Sequence, residues 1–346
     1  MKAALLYKVG DIRIEEIPRP SPGPDEVLVK IHTVGICGSD VHYYTYGSIG
    51  PAVVREPFIL GHEVAGTVVE LGTGVDGPPV GTRVTVEPGW PCGTCEVCRR
   101  GRYNLCKKVR FLGTPPFPGA YCEYVAAQAD FVFPIPDEMS FEDASMIEPL
   151  AVGLHAVELA GMWPGHTAAV LGEGPIGLFT TRCAKLGGGL TVFGTDLLDH
   201  LLDAARDFGA DVTFNASAVD PMTAIMEATD GRGVDVVFET AGAPKTQQQA
   251  LDLAAAGGTV VLVGICPKQP VPTDVTEARH KELVVKHCRR YCHDFPRSIA
   301  LVSSGAVDVG RMVTHRFKLD DIAEAFELVK NQRDGVIKAA VRIAED

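Results

Sequence analysis

The hydrophobic pattern of this chain changes once along its length, and the change divides it into two kinds of fold. From residue 1 to about 135, short alternating runs such as ALLYKVGDIRIEEI, EVLVKIHTVGI, HEVAGTVVEL and TRVTVEP are punctuated by Gly and Pro. Alternation with that punctuation is how a compact β-barrel reads. From about 167, apolar β-rich runs (TAAVL, LTVFGT, DVTFN, VDVVFET, GTVVLVG) alternate with helical stretches such as IGLFTTRCAKL, LLDAARDFG and TQQQALDLAAA. That order builds a parallel sheet with right-handed crossovers. A length of 346 residues also favours two domains.

Between the blocks, Ile147, Leu150, Ala151, Leu154 and Val157 recur at helical spacing, which predicts a hinge helix. Pro149 suits a first helical turn, so the helix is expected to start there with Glu148 at its head, free to face an interdomain cleft. The closing runs FPRSIALVSSG, DDIAEAFELVK and GVIKAAVRI look like a return to the first domain. The expected division is 1–150 with 286–346, interrupted by 151–285.

The 44 acidic and 32 basic residues give a net charge of −12, with no electrostatic basis for holding nucleic acid or an anionic membrane. The N-terminal apolar run is too short for a signal peptide, and no stretch nears the roughly 18 apolar residues of a membrane span. A soluble cytoplasmic protein is expected. In that compartment clustered cysteines point to metal before disulfides.

Cys92, Cys95, Cys98 and Cys106 form a C-x2-C-x2-C-x7-C run amid Pro88, Gly89, Pro91, Gly93 and Gly101. A redox C-x-x-C pair is the competing reading. A lobe wound around one structural zinc fits the spacing better. Arg99, Arg100 and Arg102 read as a solvated turn that partly offsets the thiolates. Cys122, Cys183, Cys266, Cys288 and Cys292 are scattered among apolar residues and read as small core hydrophobes. A second, mixed set is Cys37, His62 and Glu63, a donor chemistry suited to a zinc with an open position. A lone His or Cys is more often core, and a lone Glu more often surface. Adjacent strand residues also face opposite ways, so His62 and Glu63 converge only if the chain turns or bulges; Gly61 and Gly66 make that feasible.

Gly172, Gly174 and Gly177 spell G-x-G-x-x-G between the strand TAAVL and a helix, the arrangement that brings a pyrophosphate onto helix N-terminal amides. The next strand ends at Asp196, placed to accept both ribose hydroxyls of NAD. An acid there repels a 2′-phosphate, and no Arg follows in LLDHLL to receive one, so NAD is favoured over NADP. A helix-capping Asp is the alternative.

Taken together, Gly61-His62-Glu63-x2-Gly66-x5-Gly72-x2-Val75, the Cys37-Gly38-Ser39-Asp40 segment, the cysteine lobe and the glycine loop resemble the zinc-dependent medium-chain alcohol dehydrogenases over essentially the full chain. CGSDVHYYTYGSIG, IEPLAVGLHA, GPIG, RRYCHDFP and VTHRF are similar to the sorbitol and xylitol dehydrogenase branch. The resemblance implies a chaperonin-10-like barrel domain with a Rossmann domain inserted before its last part. It implies two zinc ions per chain, with Cys37, His62 and Glu63 as ligands of the catalytic one. Glu148 would reach that ion through water or replace Glu63. Ser39 and His42 match proton-relay positions, and Tyr43, Glu148, Arg290 and Tyr291 match pocket positions for a polyol. Ile176, Val263, Gly264 and Ile265 match cofactor positions. Leu201 stands where some relatives carry an Arg near the adenosine. A dimer or tetramer is implied, as is oxidation of a sorbitol-, xylitol- or L-iditol-like secondary alcohol to a 2-ketose. L-threonine or L-arabinitol as substrate is the nearest alternative, and a non-catalytic nucleotide-binding protein a distant one.

Overall fold

A computed structural model of the chain describes residues 1–55, 57–267 and 270–344. Its contacts separate two compact units, Met1–Glu148 with Phe295–Asp346, and Pro149–Asp294. The joins at 148/149 and 294/295 compare with expected joins after 150 and 285. The later second join has a simple cause. Val284–His287, in the run after VVLVG, pairs parallel with Ala254–Leu262 and so belongs to the sheet of the inserted unit.

In the first unit a seven-stranded sheet runs Val132–Pro134, Arg83–Val86, Glu63–Leu71, Glu26–Gly35, Lys338–Arg342 and Val313–Lys318, with Tyr124–Gln128 also on Glu26–Gly35. Val29, Ile31, Val34, Val64, Val68, Val84 and Val86 are wholly buried in its core, each contributing about 1.5–3 kcal/mol. The pairs are antiparallel except Val313–Lys318 with Lys338–Arg342. A parallel pair requires a crossover, which the helix Ile322–Lys330 supplies. Its Ile322, Ala325 and Phe326, at i, i+3 and i+4, form the buried face.

The second unit carries a six-stranded parallel sheet in the order Val212–Asn215, Thr191–Asp196, Thr167–Leu171, Val234–Glu239, Ala254–Leu262, Val284–His287. Numbered along the chain this is 3-2-1-4-5-6, with its reversal beside Thr167–Leu171, the doubly wound nucleotide-binding order. The predicted strands fall where expected with one exception. The alanines ending TQQQALDLAAA open the strand Ala254–Leu262, because the helix stops at Leu253. The predicted hinge helix spans Ile147–Ala160, so it begins two residues before Pro149, which still lies in the first turn, where its missing N–H costs nothing. Cys122, Cys183 and Cys266 are buried, whereas Cys288 and Cys292 are only half-buried.

Candidate active site

The strand Glu26–Gly35 leads into Cys37, and the helix Gly38–Tyr46 begins at the next residue. Asp40, with no exposed surface, organises what surrounds it. Its Oδ2 accepts the Cys37 N–H at 3.2 Å. Its Oδ1 accepts the Gly61 N–H at 3.2 Å and lies 3.5 Å from His62 Nδ1. The Tyr121 hydroxyl lies 3.1 Å from both Asp40 Oδ2 and the Gly35 carbonyl oxygen, which share its single proton. Gly61 turns the chain with φ +95°, and a Cβ on it would press the Tyr121 ring at 3.0 Å. The strand then starts only at Glu63. His62 therefore lies outside the pleat, and the opposite-face rule does not separate it from Glu63.

The ligand atoms of Cys37, His62 and Glu63 lie within 4.8 Å of one another. Burial works to lower the His62 pKa, but the charges of Asp40 and Cys37 outweigh it and hold the imidazole well above its ordinary value. The pocket thus favours a cation. A zinc ion suits that charge and this mixed sulfur, nitrogen and oxygen donor set, taking the place of the proton.

One residue here is absent from the motif reading. The Lys338 ammonium donates to Glu63 Oε1 at 2.5 Å, and the two side chains are 3% and 1% exposed. Burial alone would lower the Lys338 pKa, yet Glu63, Cys37 and Glu148 together raise it. Glu148, second residue of its helix and buried, is thereby within electrostatic reach of the same cation. Glu63 Oε2 has no hydrogen-bond partner among the described residues. An acceptor buried in that way is costly unless something occupies it, which fits a metal ligand. Gly35 faces Glu63 in the sheet, and a Cβ on Gly35 would come within 2.0 Å of that oxygen. Gly35→Ala should therefore displace the carboxylate and cost at least about tenfold in zinc affinity, as lost metal-site support typically does. Competition with a chromogenic chelator measures it; unchanged affinity would show that the carboxylate does not hold the ion.

Ser39 and His42 follow Cys37 on the same helix. Ser39 is partly exposed, and burial lowers the pKa of the half-buried His42, which favours the neutral imidazole. Tyr43 lies 3% exposed in the apolar core. In the second unit Tyr291 is 2% exposed, and Arg290 adopts φ +56°.

The four lobe cysteines also converge, with ligand atoms within 4.8 Å. Sulfur separations are 3.3 Å for Cys95–Cys98, 3.8 Å for Cys95–Cys106 and 3.6 Å for Cys92–Cys106. Zn–S bonds of about 2.3 Å in a tetrahedron give S–S edges of about 3.8 Å. Backbone N–H groups of Thr94 and Cys95 draw the Cys92 thiol down to about 6. Burial and the neighbouring sulfurs push Cys98 up to about 12. Four sulfurs this close can all ionise only with a divalent cation between them. Arg99, Arg100 and Arg102 are exposed, Arg100 pairing with Glu96 at 2.8 Å.

The glycine loop follows the strand Thr167–Leu171 and opens the helix Pro175–Leu186. Gly172 has φ +103°, and a Cβ there would strike Ala241; one on Gly177 would fall 1.9 Å from the Gly172 carbonyl oxygen. Beside Gly174 there is open space, and Ile176 lies partly exposed in the first helical turn. The Asp196 carboxylate is held by the N–H groups of Glu173 at 2.8 Å, Leu197 at 2.7 Å and Leu198 at 3.1 Å. Leu201 is 5% exposed, packed inward on its helix. The Val263 and Gly264 N–H groups donate to the Glu239 carbonyl at 2.8 and 2.9 Å, and Ile265 is 54% exposed.

Residues 23–137 match the alcohol dehydrogenase GroES-like domain family, and residues 175–304 the zinc-binding dehydrogenase family. The chain is 43% identical over 341 residues to sorbitol dehydrogenase of Bacillus subtilis, covering 99% of this chain and 97% of that protein. Among solved structures it resembles an Escherichia coli oxidoreductase/dehydrogenase of unknown specificity at TM-score 0.94 and 37% identity, over 100% of both chains. It also resembles 2R,3R-butanediol dehydrogenase of Bacillus subtilis at TM-score 0.90 and 34% identity, over 99% of both. No helix among the described residues is long and apolar enough to cross a membrane. With both family domains in order along one chain and a sorbitol dehydrogenase matched nearly end to end, the protein belongs to the zinc-dependent medium-chain alcohol dehydrogenases, oxidoreductases that act on CH–OH groups.

Proposed function

We propose that this enzyme oxidises a secondary hydroxyl of sorbitol, xylitol or L-iditol to the 2-ketose with NAD. The observation that carries the reading is the convergence of Cys37, His62 and Glu63 in a chain similar to a sorbitol dehydrogenase over 99% of its length. When bound, zinc supplies the Lewis acidity that lowers the pKa of the alcohol, and NAD the hydride acceptor. Cys37, His62 and Glu63 hold the metal, while Glu148 stands beside them as an acceptor for water or a substrate hydroxyl. Ser39 passes the alcohol proton on, and the neutral His42 receives it. Tyr43, Arg290 and Tyr291 hydrogen-bond the remaining hydroxyls, contacts that a polyol supplies and a simple alcohol lacks. Asp196, fixed by three N–H donors, accepts the adenosine ribose hydroxyls. No cation at Leu201 is present to welcome a 2′-phosphate. Gly172, Gly174, Ile176 and Gly177 receive the pyrophosphate, and Val263, Gly264 and Ile265 the nicotinamide.

The assembly is a homo-oligomer, dimer or tetramer. The strand Val284–His287 ends its sheet, and Val284 and Val285 are 46% and 41% exposed. An uncovered edge of that kind is an aggregation risk unless a partner occupies it. The compartment is the cytoplasm, where the ten free cysteines stay reduced.

The test is the initial rate of NADH formation with sorbitol, xylitol, L-arabinitol, L-threonine and simple alcohols in one panel, repeated with NADP. Sorbitol or xylitol should be turned over fastest, and NADP used at least about tenfold less well, the effect of about 1.4 kcal/mol of lost ribose contact. Turnover of L-threonine alone would reassign the substrate, and faster rates with NADP would overturn the part given to Asp196.

A further inference from the structure

Arg290 and Tyr291 lie in a short segment whose backbone is under tension. Arg290 has φ +56° and His293 φ +64°, a region that residues other than Gly rarely enter and that persists only where the surroundings impose it. On the N-terminal side, the Cys288 N–H donates to the Leu262 carbonyl at 2.8 Å, and the Cys288 thiol donates to the Arg290 carbonyl at 3.5 Å. On the C-terminal side the anchor is a side chain. Asp294 Oδ2 accepts the Cys292 N–H at 3.0 Å and lies 3.2 Å from His155 Nδ1, on the helix Ile147–Ala160.

Asp294 has no exposed surface and His155 is 5% exposed. A carboxylate removed from water in that way needs a partner of opposite charge or directed donors. Here the Cys292 N–H supplies a directed bond. Neither His155 nitrogen makes a hydrogen bond of good geometry among the described residues, so the ring meets Asp294 as a close polar neighbour at 3.2 Å and not through a directed bond. The carboxylate thus spans from a helix to the two-residue stretch Arg290–Tyr291, through the amide that follows it.

We propose that Asp294, backed by His155, is a positioning residue for substrate recognition: it holds the Arg290–His293 backbone, left-handed at Arg290 and at His293, in the path that sets the direction of the Arg290 and Tyr291 side chains. The inference rests on the polyol reading above and deepens it. Neither Asp294 nor His155 touches the substrate; both act through the segment.

The experiment compares wild type with Asp294→Ala, Asp294→Asn and His155→Gln in the zinc-loaded full-length enzyme. Asp294→Ala should raise KM for the polyol about tenfold, leave the Kd for NADH within about twofold by fluorescence titration, and speed amide hydrogen exchange across residues 289–293. Asp294→Asn keeps an acceptor for the Cys292 N–H and should restore KM to within about threefold of wild type, with His155→Gln between the two. Should Asp294→Ala fail to fold, His155→Gln against wild type carries the same comparison, with Asp294→Asn as the control. Unchanged exchange in the segment, or a rise in the NADH Kd equal to that in polyol KM, overturns the inference. A wild-type enzyme that turns over no polyol sinks the substrate reading instead, and exchange in the segment, which requires no substrate, still decides whether Asp294 holds it.

Discussion

Lys338→Met should destabilise the metal-free protein by about 3–5 kcal/mol, the usual cost of removing one partner from a buried ion pair. The Lys338 and Glu63 side chains are almost wholly inaccessible and 2.5 Å apart, so water cannot take over the lost charge. The zinc-loaded protein should lose markedly less, because the ion supplies a positive charge to the same carboxylate. Urea unfolding with and without saturating zinc measures both values. The double variant Lys338→Met with Glu63→Gln should recover part of the metal-free loss, as the stranded charge is then gone. Equal losses in the two metal states would mean that Lys338 merely fills space.

Cys98→Ser should reduce bound zinc from two ions per chain to one and loosen the lobe around it. The sulfurs of Cys92, Cys95 and Cys106 stand 3.3–3.8 Å from one another or from Cys98, and the short helix Glu96–Arg99 between them has no buried residue. With no apolar core of its own there, the helix depends on the ion, and structural zinc contributes about 10–16 kcal/mol of apparent binding energy in small domains at neutral pH. Metal analysis together with limited proteolysis around residues 92–108 checks this. Retention of two ions with an unaltered digestion pattern would count against the four-thiolate site. NADH binding, proposed above for the other unit, should be unaffected.

The parts of this architecture that were legible in the sequence are the local ones. The cysteine run and the glycine loop each fit within about fifteen residues, so their spacing nearly determines their geometry. The parallel strands read correctly because buried β-branched runs are hard to build any other way. What sequence could not supply lay in register and turn geometry. Lys338 is 275 positions from Glu63, and only the pairing of Lys338–Arg342 with Glu26–Gly35, itself paired with Glu63–Leu71, brings them together. A lysine in GVIKAAVRI carries no local sign of burial. Gly35 likewise reads as the end of a strand, and its need to lack a side chain emerges only once Glu63 stands opposite. The alanines at 254–256 misled for the opposite reason, since their helical propensity is overridden by the sheet.

The interruption of the first unit has a consequence for synthesis. Pro149–Asp294 is one unbroken run and can fold as soon as it leaves the ribosome, in keeping with domain-by-domain folding. Met1–Glu148 emerges earlier but must wait, because the strand that completes its sheet and brings the counter-charge for Glu63 is made of residues 338–342. Until residues 338–342 appear, the nascent barrel holds an uncompensated acid in its interior and an open strand edge. A ribosome that stalls before residue 338 therefore leaves the two halves unequal, with the nucleotide-binding unit competent to fold and the metal-binding one exposed to chaperones and proteases.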